Sequence, residues 1–494
     1  MDTSIISNIR IDKIAEQLLY NEKNPLLFNS GFFLFAFLFF LLVYALIQNR
    51  IRARIFFIVA FSIYFYYKSS GWYFLLMIAS SLVAHYLAQY IYRTRNHRKR
   101  KALMIFSVIL FVSLLGYFKY TNFIIGIVNN FRTQPIQFAQ LFLPLGISFY
   151  TFELISYCVD VYNRKIKPVK SIMDFCFYVS FFPHLVAGPI VRPKELIPQI
   201  YAKLKLTRED LGRGVFLIMA GLIKKAIISD YISSNFVDRI FDNPTLYSGV
   251  ENLLGVYGYT LQIYCDFSGY SDMAIGIALL IGYKLPLNFD APYQATSITE
   301  FWRKWHISLS SWLRDYLYIP LGGNRTGKFR QYINLMITML IGGLWHGASW
   351  KFVFWGGMHG IGLAIDKLFN DVVKFKSNLF TKAVGLIITF NFVAFCWIFF
   401  RADSFETAVD VLTQVFTSFK GELFVSVITG YKQVFALILL GYLLHITPKK
   451  WDLFLENKVT RTPLIIQSVL LAIVIWMVIQ CKSAELQPFI YFQF

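Results

Sequence analysis

The amino-acid sequence predicts an all-α integral membrane protein. Of its 494 residues, 56% are hydrophobic and only 15% are charged, whereas soluble domains carry about 25% charged residues. Apolar stretches recur along most of the chain, and short basic loops separate several of them. In lipid, a helix satisfies its own backbone polar groups. We therefore expect about ten to twelve tilted or re-entrant helices in a single membrane domain over residues 1–494.

Twelve apolar stretches reach or approach the length of a membrane-spanning helix, which is about 20 residues. They cover residues 31–48, 55–67, 71–92, 102–118, 139–160, 213–233, 250–283, 332–345, 352–369, 381–400, 433–447 and 463–481. Some of these stretches are short, and tilted or buried segments differ in length from a simple span. The sequence therefore predicts a range of about ten to twelve spans.

Basic residues predict the orientation of the chain. The 48 Lys and Arg outnumber the 28 Asp and Glu, which gives a formal net charge of +20. Many of them lie in the loops at 49–54, 93–101 and 163–170, so the positive-inside rule places these loops in the cytoplasm and the N-terminus outside. A nucleic-acid-binding patch need not follow this alternation. The pattern indicates membrane lipid as a partner and argues against nucleic acid.

Several common kinds of chemistry lack their sequence motifs. The five cysteines are scattered, with no Cys-x-x-Cys pair and no histidine at zinc-ligand spacing, so we expect no metal site. The sequence also has no Walker phosphate loop, dinucleotide fingerprint or nucleophile elbow. These absences argue against ATP-driven transport.

One apolar stretch is interrupted by residues that break helices. Residues 175–191 include Pro183, His184, Gly188 and Pro189, and basic residues flank the stretch on both sides. A full crossing would place one basic flank outside. We therefore predict a broken, re-entrant segment whose irregular backbone is shielded by protein, and the alternative is an ordinary proline-kinked helix.

A second unusual segment has the pattern of an amphipathic helix. Within residues 299–318, Trp302, His306, Leu309 and Leu313 recur at helical spacing, and charged residues occupy the same turns. We predict a helix lying in the membrane interface.

Histidines within apolar stretches are the strongest candidates for catalysis, because ionisable residues at membrane depth are costly to bury. Glycines and tryptophans surround His346 in residues 342–350. Glycines let backbone or substrate approach closely, and an imidazole can serve as a general base. His306 is the second candidate, as a group that orients a hydroxyl or polarises a carbonyl. The alternative for each is a structural histidine.

Charged residues in other apolar stretches suggest a different kind of site. Asp266 and Asp272 lie in one apolar stretch, where they can pair with a buried arginine, cap a broken helix or bind an ion in a secondary transporter. We expect Glu153 to belong to a buried pair, and Lys224 and Lys225 to extend their ammonium groups to the interface. From the residues alone, a group-transfer enzyme using His346 and a secondary transporter both remain possible.

Five motifs resemble the membrane-bound O-acyltransferase family, and in particular bacterial members that acetylate alginate and related polymers. They are the runs at 143–150 (LPLGISFY), 182–189 (FPHLVAGP), 266–272, 301–310 (FWRKWHISLS) and 342–350, and the run at 399–402 (FFRA) is also similar. The resemblance covers residues from about Leu143 to Lys367. Over the first 130 residues it rests on hydropathy alone.

This resemblance implies a fold, a reaction and a location. The fold would be a ring of tilted and re-entrant helices around a thin, funnelled core, in the inner (cytoplasmic) membrane of a bacterium. His346 corresponds to the family's catalytic histidine, here the general base, and His306 to its second active-site residue, an orienting donor. The expected donor is acetyl-CoA. The expected partners are an extracytoplasmic acetyltransferase or carrier protein and a cell-surface polysaccharide acceptor such as alginate, cellulose or peptidoglycan, and the alternative is D-alanyl transfer to teichoic acid.

The C-terminal residues 488–494 (PFIYFQF) have a resemblance of their own. They are similar to the aromatic tail of the small partner protein in teichoic-acid D-alanylation, which is thought to carry the acyl group on a tyrosine. The resemblance implies that Tyr491 carries an acetyl group on its phenolic oxygen. The alternative is an aromatic anchor at the membrane interface.

Overall fold

The protein is represented by a computed structural model, which describes residues 16–22, 25–325, 327–372, 378–481 and 490. These residues form helices and connecting loops, with no strand among them, which confirms the predicted all-α class. They fall into two compact units. The first is drawn from Met1–Thr121, Ala139–Lys205 and Ile281–Tyr283, and the second from Asn122–Phe138, Leu206–Leu280 and Lys284–Phe494.

Among the described residues, eight helices, α1 to α8, have bounds in the first part of the chain. Their bounds are α1 Gly31–Ile47, α2 Ile51–Ser70, α3 Phe74–Arg93, α4 His97–Asn129, α5 Ile147–Tyr162, α6 Ile172–Ser180, α7 Phe182–Leu185 and α8 Pro193–Tyr201. Aromatic rings fill the core of the first unit, where Phe182 packs against Phe40 and Phe61 with ring centroids 5.5 and 4.9 Å apart. Phe182 therefore ties the short helix α7 to α1 and α2.

The stretch 175–191 is broken, as predicted. Helix α6 ends at Ser180, the single turn α7 follows, and the backbone is then irregular until α8 begins at Pro193. All of its residues except Cys176 are buried, in agreement with the predicted shielding of its irregular backbone by protein. His184 Nδ1 lies 3.1 Å from Glu153 Oε1, and both side chains are buried. The buried pair expected for Glu153 is confirmed, and a continuous proline-kinked helix is wrong.

Fourteen further helices follow, together with several short 3-10 or π turns. Their bounds are α9 Arg208–Leu222, α10 Asp230–Ile232, α11 Asp238–Asp242, α12 Gly249–Leu280, α13 Ile298–Lys304, α14 Ile307–Leu313, α15 Lys328–His346, α16 Trp350–Val372, α17 Leu379–Arg401, α18 Phe405–Thr417, α19 Phe424–Gly430, α20 Lys432–Ile446, α21 Lys449–Arg461 and α22 Leu464–Cys481.

Glycines set the distance between α9 and α12 in the second unit. A Cβ atom on Gly221 would lie 2.5 Å from the carbonyl oxygen of Gly269, and one on Gly276 would lie 2.6 Å from that of Gly214. Side chains at these four positions would force the two backbones apart. The small-residue contact typical of membrane helix pairs therefore brings α9 and α12 together.

Four described helical segments are long and apolar enough to cross a membrane. They are Ile51–Arg93, His97–Asn129, Leu379–Arg401 and Leu464–Cys481, and the bent pair Phe405–Thr417 and Gly421–Gly430, with 95° between its parts, would make a fifth. Each of the twelve apolar stretches overlaps a described helix, but most of these helices are shorter or more polar than a simple span. The range of ten to twelve spans remains a prediction, as does the single membrane domain.

Candidate active site

His346 is the last residue of α15 and is enclosed by aromatic rings. Only 3% of its surface is exposed. Its ring meets Trp345, Trp355 and Phe400 in edge-to-face contacts, with centroids 5.1, 5.0 and 5.3 Å away. These three residues come from α15, α16 and α17. The aromatic surroundings of His346 therefore form only when the three helices are packed together. An imidazole in this setting has little contact with water and a fixed orientation.

Polar contacts at the end of α17 hold Phe400 in place against the imidazole. The neighbouring Arg401 makes an ion pair with Asp238, with Nη2 and Oδ1 2.8 Å apart. Lys351 of α16 donates a hydrogen bond of 2.5 Å to the carbonyl oxygen of Ala402. These contacts fix Arg401 and Ala402, the two residues after Phe400, and they explain the arginine in the run at 399–402.

Two glycines, Gly343 before His346 and Gly356 after it, contact protein backbone. A Cβ atom on Gly343 would lie 2.2 Å from the carbonyl oxygen of Phe352, and one on Gly356 would lie 2.3 Å from that of Met339. Helices α15 and α16 therefore form a hairpin that closes around these two glycines. Of the two uses of glycine considered from the sequence, close approach of backbone is the one that the structure supports.

His306 lies at a break in the predicted amphipathic helix 299–318. Helix α13 ends at Lys304 and α14 begins at Ile307, with His306 between them at a φ of +42°. Backbone from another segment replaces the missing helical bonds: the Ile307 N–H donates to the carbonyl oxygen of Asn288 at 2.9 Å, and the Asp290 N–H donates to that of Lys304 at 3.0 Å.

The prediction of one continuous helix is therefore wrong, because a tertiary contact outcompetes the local periodicity. His306 is 0% exposed. It does not lie on the surface of an amphipathic helix. The location of this segment in the membrane interface remains a prediction.

Asn288 determines which nitrogen of His306 carries the hydrogen. The Ser308 backbone N–H can only donate, and it lies 3.3 Å from Asn288 Oδ1, which identifies that atom as the amide oxygen. His306 Nδ1 lies 3.1 Å from the same oxygen and therefore donates to it. Burial lowers the pKa of His306, which lies outside the candidate membrane-spanning helices, to about 3. The ring is neutral, and Nε2 carries the lone pair.

One tryptophan contacts both candidate histidines. The Trp345 ring lies 5.1 Å from His346 and 6.1 Å from His306, measured between centroids. Phe267 of α12 also packs against the His306 ring, with the two ring centroids 4.6 Å apart. The two histidines that the sequence singled out therefore belong to one aromatic cluster.

The sequence analysis missed a third buried histidine of this cluster. His359 of α16 accepts a hydrogen bond of 3.3 Å from Trp302 Nε1 at its Nδ1 atom. Its ring lies 4.7 Å from Trp355, which in turn contacts His346. His359 stands next to Gly360 in a glycine- and tryptophan-containing run, the same signal that drew attention to His346. Its contacts support the tryptophans around the site.

The carboxylates of α12 pair with lysines. Lys224 lies 2.7 Å from Asp272, and Lys225 bonds both Asp266 and Asp230. The expectation that the lysines extend to the interface is wrong for Lys225, whose side chain is 2% exposed. For Lys224, whose side chain is 29% exposed, it remains a prediction. Of the alternatives considered for the two carboxylates, ion pairing is the one that the structure supports, with lysine in place of arginine. The described residues contain no group of three or more potential metal ligands.

Tyr491, the candidate acyl carrier, lies outside the described residues. Its neighbour Ile490 is described and is buried, with 4% of its surface exposed. The Ile490 backbone N–H donates a hydrogen bond of 3.0 Å to Asp266 Oδ2. One residue of the tail 488–494 therefore has a defined place, against the middle of α12.

Comparison with known proteins supports the motif analysis. The model of the membrane-bound O-acyltransferase family matches residues 163–407, a range that includes both candidate histidines. A peptidoglycan O-acetyltransferase of Helicobacter pylori is 38% identical over 420 residues, which cover 78% of this chain and 79% of the relative.

Other relatives act on other polymers, according to their names. A probable alginate O-acetylase AlgI of Pseudomonas aeruginosa is 41% identical over 394 residues, 78% of this chain and 73% of the relative. A teichoic acid D-alanyltransferase of Streptococcus thermophilus is 32% identical over 282 residues, 52% of this chain and 68% of the relative.

Proposed function

Because this chain belongs to the membrane-bound O-acyltransferase family, we propose that this membrane acyltransferase moves an acetyl group from cytosolic acetyl-CoA to a hydroxyl group of a cell-surface polysaccharide. The observation that carries the proposal is the enclosed imidazole of His346. The surrounding rings hold the imidazole in one orientation, and positioning of a base against its reactants can lower a barrier by about 7–11 kcal/mol in favourable cases.

In the proposed reaction, His346 is the general base. The acceptor hydroxyl oxygen forms a bond to the acetyl carbon, and the bond between that carbon and the CoA sulfur breaks. The hydroxyl proton passes to the imidazole and then to the departing thiolate. No metal is needed for these steps.

The role proposed for His306 follows from its tautomer. With Nδ1 donating to Asn288, the neutral ring presents an acceptor at Nε2. We therefore assign His306 as a group that accepts a hydrogen bond and orients a hydroxyl, which replaces the donor role expected from the family resemblance.

The tail supports a two-step version of the transfer. In this version the phenolic oxygen of Tyr491 accepts the acetyl group as an ester and passes it to an extracytoplasmic acetyltransferase or carrier protein, which delivers it to the polymer. The support is that Ile490, the residue before it, is buried against α12. A phenol has a pKa near 10, so it needs a base to attack a thioester, and His346 is the proposed one.

Three findings bear on the acceptor and on the alternatives. Relatives named for peptidoglycan and alginate acetylation cover more of this chain than the D-alanyltransferase does, which favours acetyl over D-alanyl transfer. The bacterial organisms of these relatives and the membrane-bound family support a bacterial cytoplasmic membrane as the location. The pairing of Asp266 and Asp272 with lysines gives less support to ion sites of a transporter.

The experiment that tests the function uses the purified chain in lipid vesicles. Acetyl-CoA radiolabelled in the acetyl group is supplied on one side, and label is followed into protein and into a polysaccharide acceptor with its partner protein. Covalent label on protein or polymer supports the proposal. Free labelled acetate inside the vesicles, without a covalent product, supports a transporter, and label from activated D-alanine alone supports the teichoic-acid alternative.

For the carrier step, we expect Tyr491→Phe to abolish acetylation of the chain and transfer to the acceptor, because phenylalanine lacks the oxygen that forms the ester. Mass spectrometry of the C-terminal peptide during turnover measures the adduct. Tyr86→Phe, which makes the same change at an exposed position of α3, is the matched control. Transfer at the wild-type rate by the Tyr491 variant, with no adduct on Tyr491 in the wild type, contradicts the carrier role.

A further inference from the structure

We propose that Asp266, held by Lys225, is a binding site for the C-terminal segment of this same chain, which docks through the backbone N–H of Ile490. Its significance for catalysis rests on the proposed function, in which Tyr491, the residue after Ile490, carries the acetyl group. The docking itself rests on the geometry around Asp266 and requires no substrate.

The site is built by the glycine contact between α9 and α12. Gly221 and Gly269 let the two backbones touch. Lys225 lies about one helical turn after Gly221, and Asp266 lies about one turn before Gly269. The chain beyond α9 continues as a π turn, Ile223–Ser229, and turns of this kind occur frequently at functional sites. The ammonium group of Lys225 is therefore fixed against the Asp266 carboxylate.

The second oxygen of the Asp266 carboxylate, Oδ2, accepts a hydrogen bond from outside the lysine pair. Lys225 bonds one oxygen of Asp266, Oδ1, and also Asp230 Oδ1 at 2.8 Å, so two carboxylates share one ammonium group. Asp266 is 3% exposed, and a buried carboxylate oxygen needs a hydrogen-bond donor because water cannot supply one. The Ile490 N–H supplies it at Oδ2.

The position of this carboxylate connects the tail to the candidate active site. Phe267, the next residue of α12, contacts the His306 ring at 4.6 Å. Ser271, about one turn further on, accepts a hydrogen bond of 3.2 Å from Asn288 Nδ2. One segment of α12 thus contacts the tail and also supports His306. In this arrangement Asp266 is a positioning residue for the residue that follows Ile490.

The test measures how well the C-terminus is protected in the purified full-length protein. Carboxypeptidase removes residues one at a time from the end, and intact-mass spectrometry records where digestion stops. In the wild type, we expect digestion to stall at Ile490. Asp266→Ala removes the acceptor and leaves Lys225 paired with Asp230. Hydrogen–deuterium exchange of the Ile490 amide, read by mass spectrometry of the C-terminal peptide, is a second measurement on the same variants. In Asp266→Ala, digestion past position 490 and exchange of the Ile490 amide should both be faster by about tenfold or more, the size expected when a hydrogen bond to a charged group is lost.

Matched controls separate docking from general damage. Ile490→Ala keeps the N–H, and Asp272→Ala removes the other lysine-paired carboxylate of α12, so both should keep the tail protected. Digestion and amide exchange of Asp266→Ala at the wild-type rates overturn the docking site. If His346→Ala left acetyl transfer intact, the proposed function would fail, while the protection measurement would still decide the docking site.

Discussion

Replacing His346 with alanine is expected to reduce acetyl transfer by about 10²–10⁴-fold, the usual contribution of a general base. The imidazole is enclosed by Trp345, Trp355 and Phe400, so water that enters the vacated space cannot reproduce its position. Label transfer from acetyl-CoA in vesicles measures the rate. His346→Gln, which fills more of the space but is not a base of similar strength, should be as inactive as the alanine variant.

The matched control is another buried histidine. His85 of α3 is 2% exposed, belongs to the first unit and lies in none of the five motifs. His85→Ala should keep transfer near the wild-type rate while removing the same number of atoms. If His346→Ala retained the wild-type rate in a folded protein, as judged by size-exclusion chromatography, the assignment of the base would be wrong.

The second large effect concerns stability. Gly343→Ala should lower the free energy of unfolding by about 1–3 kcal/mol or more, the range for inserting a carbon into a closely packed site. The new Cβ atom would lie 2.2 Å from the Phe352 carbonyl oxygen, and backbone cannot move aside without opening the α15–α16 hairpin. His346 ends the same helix, so we expect transfer activity to fall with stability. Thermal unfolding of the detergent-solubilised protein measures the shift.

Gly357→Ala is the control for the same substitution on the same hairpin. A Cβ atom there would lie 3.6 Å from the nearest atom, Leu340 Cδ2, which is an ordinary contact. Both variants gain the intrinsic helix preference of alanine over glycine, about 1 kcal/mol. The difference between them therefore reports the contact at Gly343. Equal melting temperatures for the two variants would contradict the close packing of α15 on α16.

The residues by themselves determined the class of the protein and its main candidates. Hydropathy and basic loops are properties of composition and order, so they predicted the helical membrane class that the structure and the family assignment confirm. The motifs around His306 and His346 predicted the family before any geometry was known. The proline-containing stretch 175–191 was also predicted as broken, because proline in a helix interior removes a hydrogen bond and because basic residues flank the stretch on both sides.

Only the tertiary structure decided the local geometry of the site. The break at His306 depends on Asn288 and Asp290, whose backbone groups replace helical bonds that periodicity alone would predict. The pairing of Asp266 and Asp272 with lysines depends on how closely α9 and α12 approach. The hydrogen bond that His359 accepts depends on the position of the Trp302 ring. A sequence pattern records which residues share a helix face, whereas hydrogen bonds and ion pairs between distant segments arise only when those segments are packed together.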